Sequence, residues 1–191
     1  MYRFNNSWPA DNPETPWAEY VLPIVVVKDP YFWMQSMCKS SYEARWATRL
    51  SCPELILQRN NGGIPVSIVM DQTHDTVTEH YDSLPGFWST WYRYYLEDDR
   101  PRIFVRYEDL LFHAKSVLEQ IVDCIGVDMP ENVQYFTDKA KKHGNSRGFV
   151  DAIQRYGSPQ ARLEHLNAPN IELTRKSLDD ELMRLLHYSY G

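Results

Sequence analysis

The stretch VLPIVVVKDP, residues 21–30, decides the fold of this 191-residue chain. Its continuous β-branched run, Val21 to Val27, is typical of a strand that is buried on both faces, as in parallel sheets. Asp29 is a good helix N-cap and Pro30 a good first helical residue, so a helix is expected directly after the strand. The sequence therefore predicts a strand-to-helix junction at Lys28.

The next part of the chain predicts a hairpin followed by a second helix. Two β-rich runs flank Asn60-Asn61-Gly62-Gly63, a strong hairpin signal, and Pro65 moves the second run towards the edge of a sheet. Residues 84–97 then carry aromatic and apolar side chains at helical spacing. This stripe favours core packing over a cofactor or sugar platform.

The second half of the chain predicts one more strand and three helices. RIFVR, residues 102–106, is a short buried strand. Apolar residues over 114–125 follow helical spacing, and Gly126 supplies the helix stop. Shorter helices are expected over 149–156 and from Ser177 onwards, where the serine hydroxyl would cap.

Strand, helix, hairpin, helix, strand and helix is an α/β order. It predicts a short parallel sheet flanked by helices, with an inserted β-hairpin. We expect a single α/β domain over 21–191, preceded by an irregular N-terminal arm over 1–20.

Composition limits the classes of partner. The chain is 43% apolar and 14% aromatic, which excludes global disorder, and its net charge is −6. This charge argues against general affinity for nucleic acid or anionic membrane, so any anion site must be a local cluster. The sequence also holds no apolar run long enough to span a bilayer and no signal-peptide pattern at its start.

The three cysteines, Cys38, Cys52 and Cys124, give a weak signal because they form no CxxC pair and have no histidine at metal-ligand spacing. Buried or free thiols are the favoured interpretation, and a Cys38–Cys52 bridge in an oxidising compartment is the main alternative. We expect no metal site.

Two strand ends could hold a ligand, because ligands of open α/β sheets bind beyond the carboxyl ends of the strands. Lys28 leaves the first strand and Ser36 lies two helical turns later, so the cation and the hydroxyl could grip one phosphate. The alternative is a solvated charge and a surface hydroxyl. At the second strand end, Tyr107 could contact a base, whereas Glu108 and Asp109 more simply begin the next helix.

A basic run forms a third candidate. Lys139, Lys141, Lys142 and His143 precede a Gly-bounded loop that contains Arg147. A solvated helix face is the default interpretation of such a run. The alternative is a basic loop that closes over an anionic ligand.

These residues suggest a family. PIVVVKDPYFWMQS, Pro23 to Ser36, resembles the 3′-phosphate motif of sulfotransferases that use 3′-phosphoadenosine 5′-phosphosulfate (PAPS), in which a hydrophobic strand runs into Arg-Asp/Asn-Pro with a serine eight residues after the arginine. Residues 104–127, FVRYEDLLFHAKSVLEQIVDCIGV, look like the family's Tyr-Glu-Asp segment and its helix. The aromatic helix before that segment and the C-terminal LDDELMRLLHYSYG fit the carbohydrate-type branch. The likeness covers roughly Leu22 to the C-terminus.

The resemblance implies a P-loop nucleotide-kinase-like core that transfers sulfate from PAPS to a hydroxyl of a carbohydrate or similar acceptor, without a metal. It assigns Lys28 and Ser36 to the 3′-phosphate and Tyr107 to the adenine. Arg147 and Gly148 would match the family's late loop on the same phosphate. Lysine in place of the usual arginine keeps the charge but loses the bidentate fork.

The N-terminal residues depart from the family. Residues 1–23 contain no glycine and therefore no Gly-rich loop for the 5′-phosphosulfate. No general base is assigned, since the first histidine is His74 and nothing local positions Glu14 or Glu19. We expect either a truncated start at Met1 or a degenerate, non-catalytic relative. A Golgi-lumenal protein, which the carbohydrate-type likeness would suit, would need an anchor upstream of Met1.

Two other functions are weighed against this one. A non-catalytic interaction module would expose Trp33, Trp88 or Trp91 as an apolar cluster. A nucleotide kinase would share the α/β plan, but the sequence contains no GxxxxGK[ST] phosphate loop.

Overall fold

The computed structural model describes residues 21–42, 44–46, 63–71, 76–133, 149–164 and 166–190. The strands in these residues are β1 Ile24–Val27, β2 Ala44–Trp46, β3 Val66–Asp71, β4 Thr76–Tyr81 and β5 Ile103–Arg106. The helices are α1 Pro30–Lys39, α2 Leu84–Glu97, α3 Tyr107–Phe112, α4 Ala114–Ile125, α5 Phe149–Tyr156, α6 Pro159–Arg162, α7 Ala168–Ser177 and α8 Asp180–Leu185. The expected irregular arm over 1–20 lies outside the described residues.

Strands β1 and β5 form a two-stranded parallel sheet, which confirms the short parallel sheet flanked by helices. Their register places Ile24 opposite Ile103 and Val27 opposite Arg106. The prediction that β1 is buried on both faces was wrong. Val27 is fully buried, but Ile24 is 46% exposed, because side chains alternate across a strand and the core covers one face of β1.

The inserted element is a three-stranded antiparallel sheet in the order β2-β3-β4, and not a simple hairpin. The turn predicted at 60–63 falls almost entirely outside the described residues. The structure pairs β3 with β4, a strand that the sequence pattern did not indicate. Pro65 does not make β3 an edge strand, because it precedes the strand and removes no ladder donor from it.

Helix α2 has the predicted bounds and contributes most of the aromatic core. Trp88 is fully buried, Phe87 is buried, and Trp91 and Tyr95 pack against the core from its border. Phe87 and Trp91 meet edge-to-face with ring centroids 5.4 Å apart. The core-packing interpretation of the aromatic stripe is therefore confirmed for these residues.

The C-terminal helices differ from the prediction. Ser177 ends α7 instead of capping the last helix, and Asp179 caps α8 by accepting a hydrogen bond from Leu182 N at 2.9 Å. Helices α4 and α5 were predicted correctly, and Gly126 closes α4 at φ 72°, which favours glycine. Helices α6 and α7 were missed because their apolar periodicity is weak.

Cys38 is disulfide-bonded to a partner outside the described residues, while Cys124 is free and exposed. The free-thiol interpretation was therefore wrong for Cys38. Within the described ranges, no helix combines the length and apolar character that crossing a bilayer requires.

Candidate functional site

The candidate site begins where the two parallel strands end. Since Val27 pairs with Arg106, the residues that follow them, Lys28 and Tyr107, leave the same end of the sheet. The backbone of Lys28 is held in place, because its carbonyl accepts a hydrogen bond from Trp88 Nε1 at 3.0 Å. The parallel register of β1 and β5 thus brings the Lys28 cation close to the Tyr107 ring.

The side chain of Lys28 is surrounded by hydroxyls and rings. Its ammonium donates to Ser36 Oγ at 2.8 Å and to Tyr156 Oη at 3.0 Å. It also lies 5.0 Å from the ring centroids of both Tyr107 and Tyr156. We call Lys28, Ser36, Tyr107 and Tyr156 the Lys28 cluster. A half-buried cation beside hydroxyl groups is a combination that can bind an anion.

Burial and the neighbouring Arg155 lower the pKa of Lys28 to about 8, although Glu108 and Asp29 act in the opposite direction. The free ammonium is therefore held at a cost that an arriving anion would offset. Burial and the nearby Tyr156 raise the pKa of Tyr107 to about 12, so its hydroxyl remains protonated at neutral pH.

A helix N-terminus is a common phosphate site, but the first backbone N–H groups of α1 are already hydrogen-bonded to protein carboxylates. Asp29 N donates to Glu108 Oε1 at 3.2 Å, while Tyr31 N and Phe32 N donate to Asp29 Oδ1 at 3.0 and 3.3 Å. Two protein carboxylates thus occupy this helix terminus. An anion at this place would be bound by side chains.

Helix α6 is attached to α1 beside the cluster. Arg162 Nη2 lies 2.8 Å from Asp29 Oδ2, and their side chains are 13% and 6% exposed. Gln35 Nε2 donates to the carbonyl oxygens of Ala161 and Arg162 at 3.1 and 3.0 Å. The α5–α6 segment, which carries Tyr156, is therefore fixed to the helix that carries Ser36.

The structure brings together three of the five predicted site residues, Lys28, Ser36 and Tyr107. Arg147 and Gly148 lie outside the described residues, as does the basic run. Glu108 and Asp109 stand in the first turn of α3, as expected.

Sequence reasoning missed Tyr156, which it treated only as an apolar residue of α5. Tyr156 and Lys28 are 128 positions apart, and no motif links them. It assigned Glu108 only to the start of a helix and did not predict that Glu108 Oε2 accepts a hydrogen bond from Tyr188 Oη at 2.9 Å, which ties the C-terminal segment to the strand ends. In the described residues, Arg155 adds positive charge near Lys28.

The three tryptophans do not form an exposed apolar cluster. Trp88 is fully buried, and Trp33 and Trp91 pack against the core cluster. The feature that would favour an interaction module is therefore absent at these residues.

Comparisons with known proteins do not help to interpret this site. No family model, no curated protein and no solved structure matches the chain. The features of the chain that bear on its function are therefore the Lys28 cluster and the motifs within the sequence.

Proposed function

We propose that this chain is a sulfotransferase-like protein that binds the 3′-phosphoadenosine half of PAPS, on a P-loop nucleotide-kinase-like core. The observation that carries the proposal is the 2.8 Å contact between Lys28 Nζ and Ser36 Oγ beside the ring of Tyr107, at the common end of β1 and β5. A phosphate monoester needs a cation and hydroxyl donors, and a base needs a flat apolar ring.

The charge distribution supports a local anion site. The chain as a whole is acidic, with a net charge of −6, yet Lys28 and Arg155 stand close enough to repel one another. A dianionic group between them would remove that repulsion and compensate the burial of Lys28. The positive charges of Lys28 and Arg155 therefore favour the binding of a phosphate monoester at the cluster.

The parent reaction would move sulfate from PAPS to a hydroxyl of a carbohydrate or similar acceptor. The acceptor oxygen bonds to sulfur, the bond from sulfur to the bridging phosphate oxygen breaks, and a base takes the hydroxyl proton. By analogy with phosphoryl transfer, positioning and charge stabilisation supply most of the rate. The Lys28 cluster would contribute nucleotide binding and orientation. No described residue is assigned as the base.

The disulfide at Cys38 fits an oxidising compartment, where such bonds persist. A Golgi-lumenal site of action agrees with that chemistry and with the carbohydrate-type likeness.

Calorimetric titration of the purified chain with 3′-phosphoadenosine 5′-phosphate (PAP) tests the proposal, with adenosine 5′-phosphate (AMP) as the matched ligand that lacks the 3′-phosphate. We expect PAP to bind at least about tenfold more tightly, the worth of one charge-assisted hydrogen bond. Equal affinities for the two nucleotides would refute the proposal.

The affinity for PAP is expected to fall about tenfold between about pH 7 and pH 9, because the pKa of Lys28 in the free protein is about 8. Below about pH 8 the Lys28 ammonium is charged and can bind the anion. Above about pH 8 Lys28 is neutral and must take up a proton before it can bind the anion. The Lys28→Arg variant stays charged throughout and should bind PAP with no such slope. An equal slope in wild type and Lys28→Arg would contradict this assignment of the titrating group.

A further inference from the structure

Tyr156 is placed as a member of the anion site and not merely as a neighbour of it. Its Oη accepts a hydrogen bond from Lys28 Nζ at 3.0 Å, nearly the length of the 2.8 Å bond from Lys28 to Ser36. The ammonium therefore holds two hydroxyls, one from α1 and one from α5. An anion that contacts Lys28 Nζ arrives between or beside these two hydroxyl groups.

The two hydroxyls differ in where their own hydrogens go. Ser36 Oγ donates to the carbonyl oxygen of Phe32 at 3.0 Å, so it must break that bond before it can donate to a ligand. Tyr156 accepts from Lys28, and a side-chain hydrogen bond also joins its hydroxyl to that of Tyr107. Burial raises the pKa of Tyr156 above its usual value, so that the hydrogen stays in place at neutral pH. Tyr156 can therefore donate to an anion while Tyr107 donates to Tyr156, whereas Ser36 must first give up its bond to the backbone.

The position of Tyr156 is fixed from several sides. Its ring meets Phe32 edge-to-face at 4.7 Å between centroids and Tyr107 at 5.6 Å. The Arg155 guanidinium lies 5.4 Å from the centroid of the same ring, and α6, directly after it, is attached to α1 through Gln35. Such a donor costs little ordering entropy when a ligand binds.

We infer that Tyr156 is a direct ligand of the 3′-phosphate, donating its hydroxyl hydrogen to a phosphate oxygen that Lys28 Nζ also contacts. The inference rests on the proposed function and extends its site by one residue. It also explains how a lysine could serve at position 28, where the family that the sequence resembles usually has an arginine. The lysine and the tyrosine hydroxyl together supply two directed donors, which an arginine fork would supply alone.

The Tyr156→Phe variant tests this inference, because it deletes the hydroxyl and keeps the ring that packs on Phe32 and Tyr107. Wild type and variant are titrated with PAP and with AMP. We expect PAP affinity to fall about tenfold or more and AMP affinity to change less than about twofold. Tyr81→Phe is the matched control, since it removes a hydroxyl that donates to Glu79 on β4, and it should change neither affinity.

The outcomes separate this inference from the proposed function. If wild type prefers PAP, Lys28→Ala loses that preference and Tyr156→Phe retains it, the inference is wrong and the proposed function stands. If wild type binds PAP no better than AMP, both are wrong. An equal loss of both nucleotides in Tyr156→Phe, with thermal unfolding unchanged, would also overturn the inference, because the hydroxyl would not act on the 3′-phosphate.

Discussion

Replacing Lys28 by alanine is expected to weaken PAP binding roughly a hundredfold and to leave AMP binding nearly unchanged. The substitution removes the ammonium that contacts Ser36 and Tyr156, and with it the cation nearest to the expected position of the 3′-phosphate. Because burial lowers the pKa of Lys28, the folded protein holds this charge at a cost, and its removal should not destabilise the fold.

Isothermal calorimetry with both nucleotides measures the effect. Lys39→Ala is the matched control, because Lys39 is exposed and ends α1, the helix that carries Ser36. It should bind PAP as wild type does. Lys28→Arg should keep the preference for PAP, since the charge remains and a guanidinium offers two directed donors. The proposed site would be wrong if Lys28→Ala and Lys39→Ala had equal affinities for PAP.

Replacing Arg162 by alanine is expected to lower the free energy of unfolding by about 3–5 kcal/mol, because it leaves the buried carboxylate of Asp29 without its arginine partner. The Asp29 side chain is 6% exposed, and Arg162 Nη2 lies 2.8 Å from Asp29 Oδ2. Chemical denaturation measures the loss. Lys176→Ala, which opens an exposed ion pair with Glu172, should cost less than about 1 kcal/mol.

The pH dependence of this loss gives a second check. Burial raises the pKa of Asp29, and Arg162 opposes the rise, so the pKa should climb further in Arg162→Ala. A carboxyl group with a raised folded-state pKa binds its proton more tightly when folded, so acid favours the folded state at this group. The deficit of Arg162→Ala should therefore shrink between about pH 7 and pH 5. It should also shrink in the double variant with Asp29→Asn, which still caps α1. A deficit that neither change reduces would contradict the buried-charge explanation.

The elements that the sequence predicted well are those that local chemistry specifies. Asp29 and Pro30 mark the start of α1, and Gly126 marks the end of α4, because caps and left-handed residues act within one turn. The pairing of β3 with β4 was not foreseen, because register and partner choice depend on contacts that periodicity does not encode. Ser177 was mistaken for a cap because Asp179, two residues later, offers the better acceptor.

The site was predictable to the extent that one segment contains it. Lys28 and Ser36 lie two helical turns apart on one strand-helix unit, so their meeting follows from local geometry. Tyr107 follows from the parallel register. Tyr156 and Arg162 reach the site by long-range packing, and no spacing rule connects them to Lys28.

The in-register pairing of β1 with β5 has a consequence for how this molecule tolerates change. Lys28 and Tyr107 each follow the last paired residue of their strand, so the register of the strand pair fixes the position of the Lys28 cation relative to the Tyr107 ring. One residue inserted inside either strand would displace one partner by about 3.3 Å along the sheet and turn its side chain to the opposite face. An insertion in an exposed connecting segment would leave this register unchanged, whereas an insertion within either of the two four-residue strands would not.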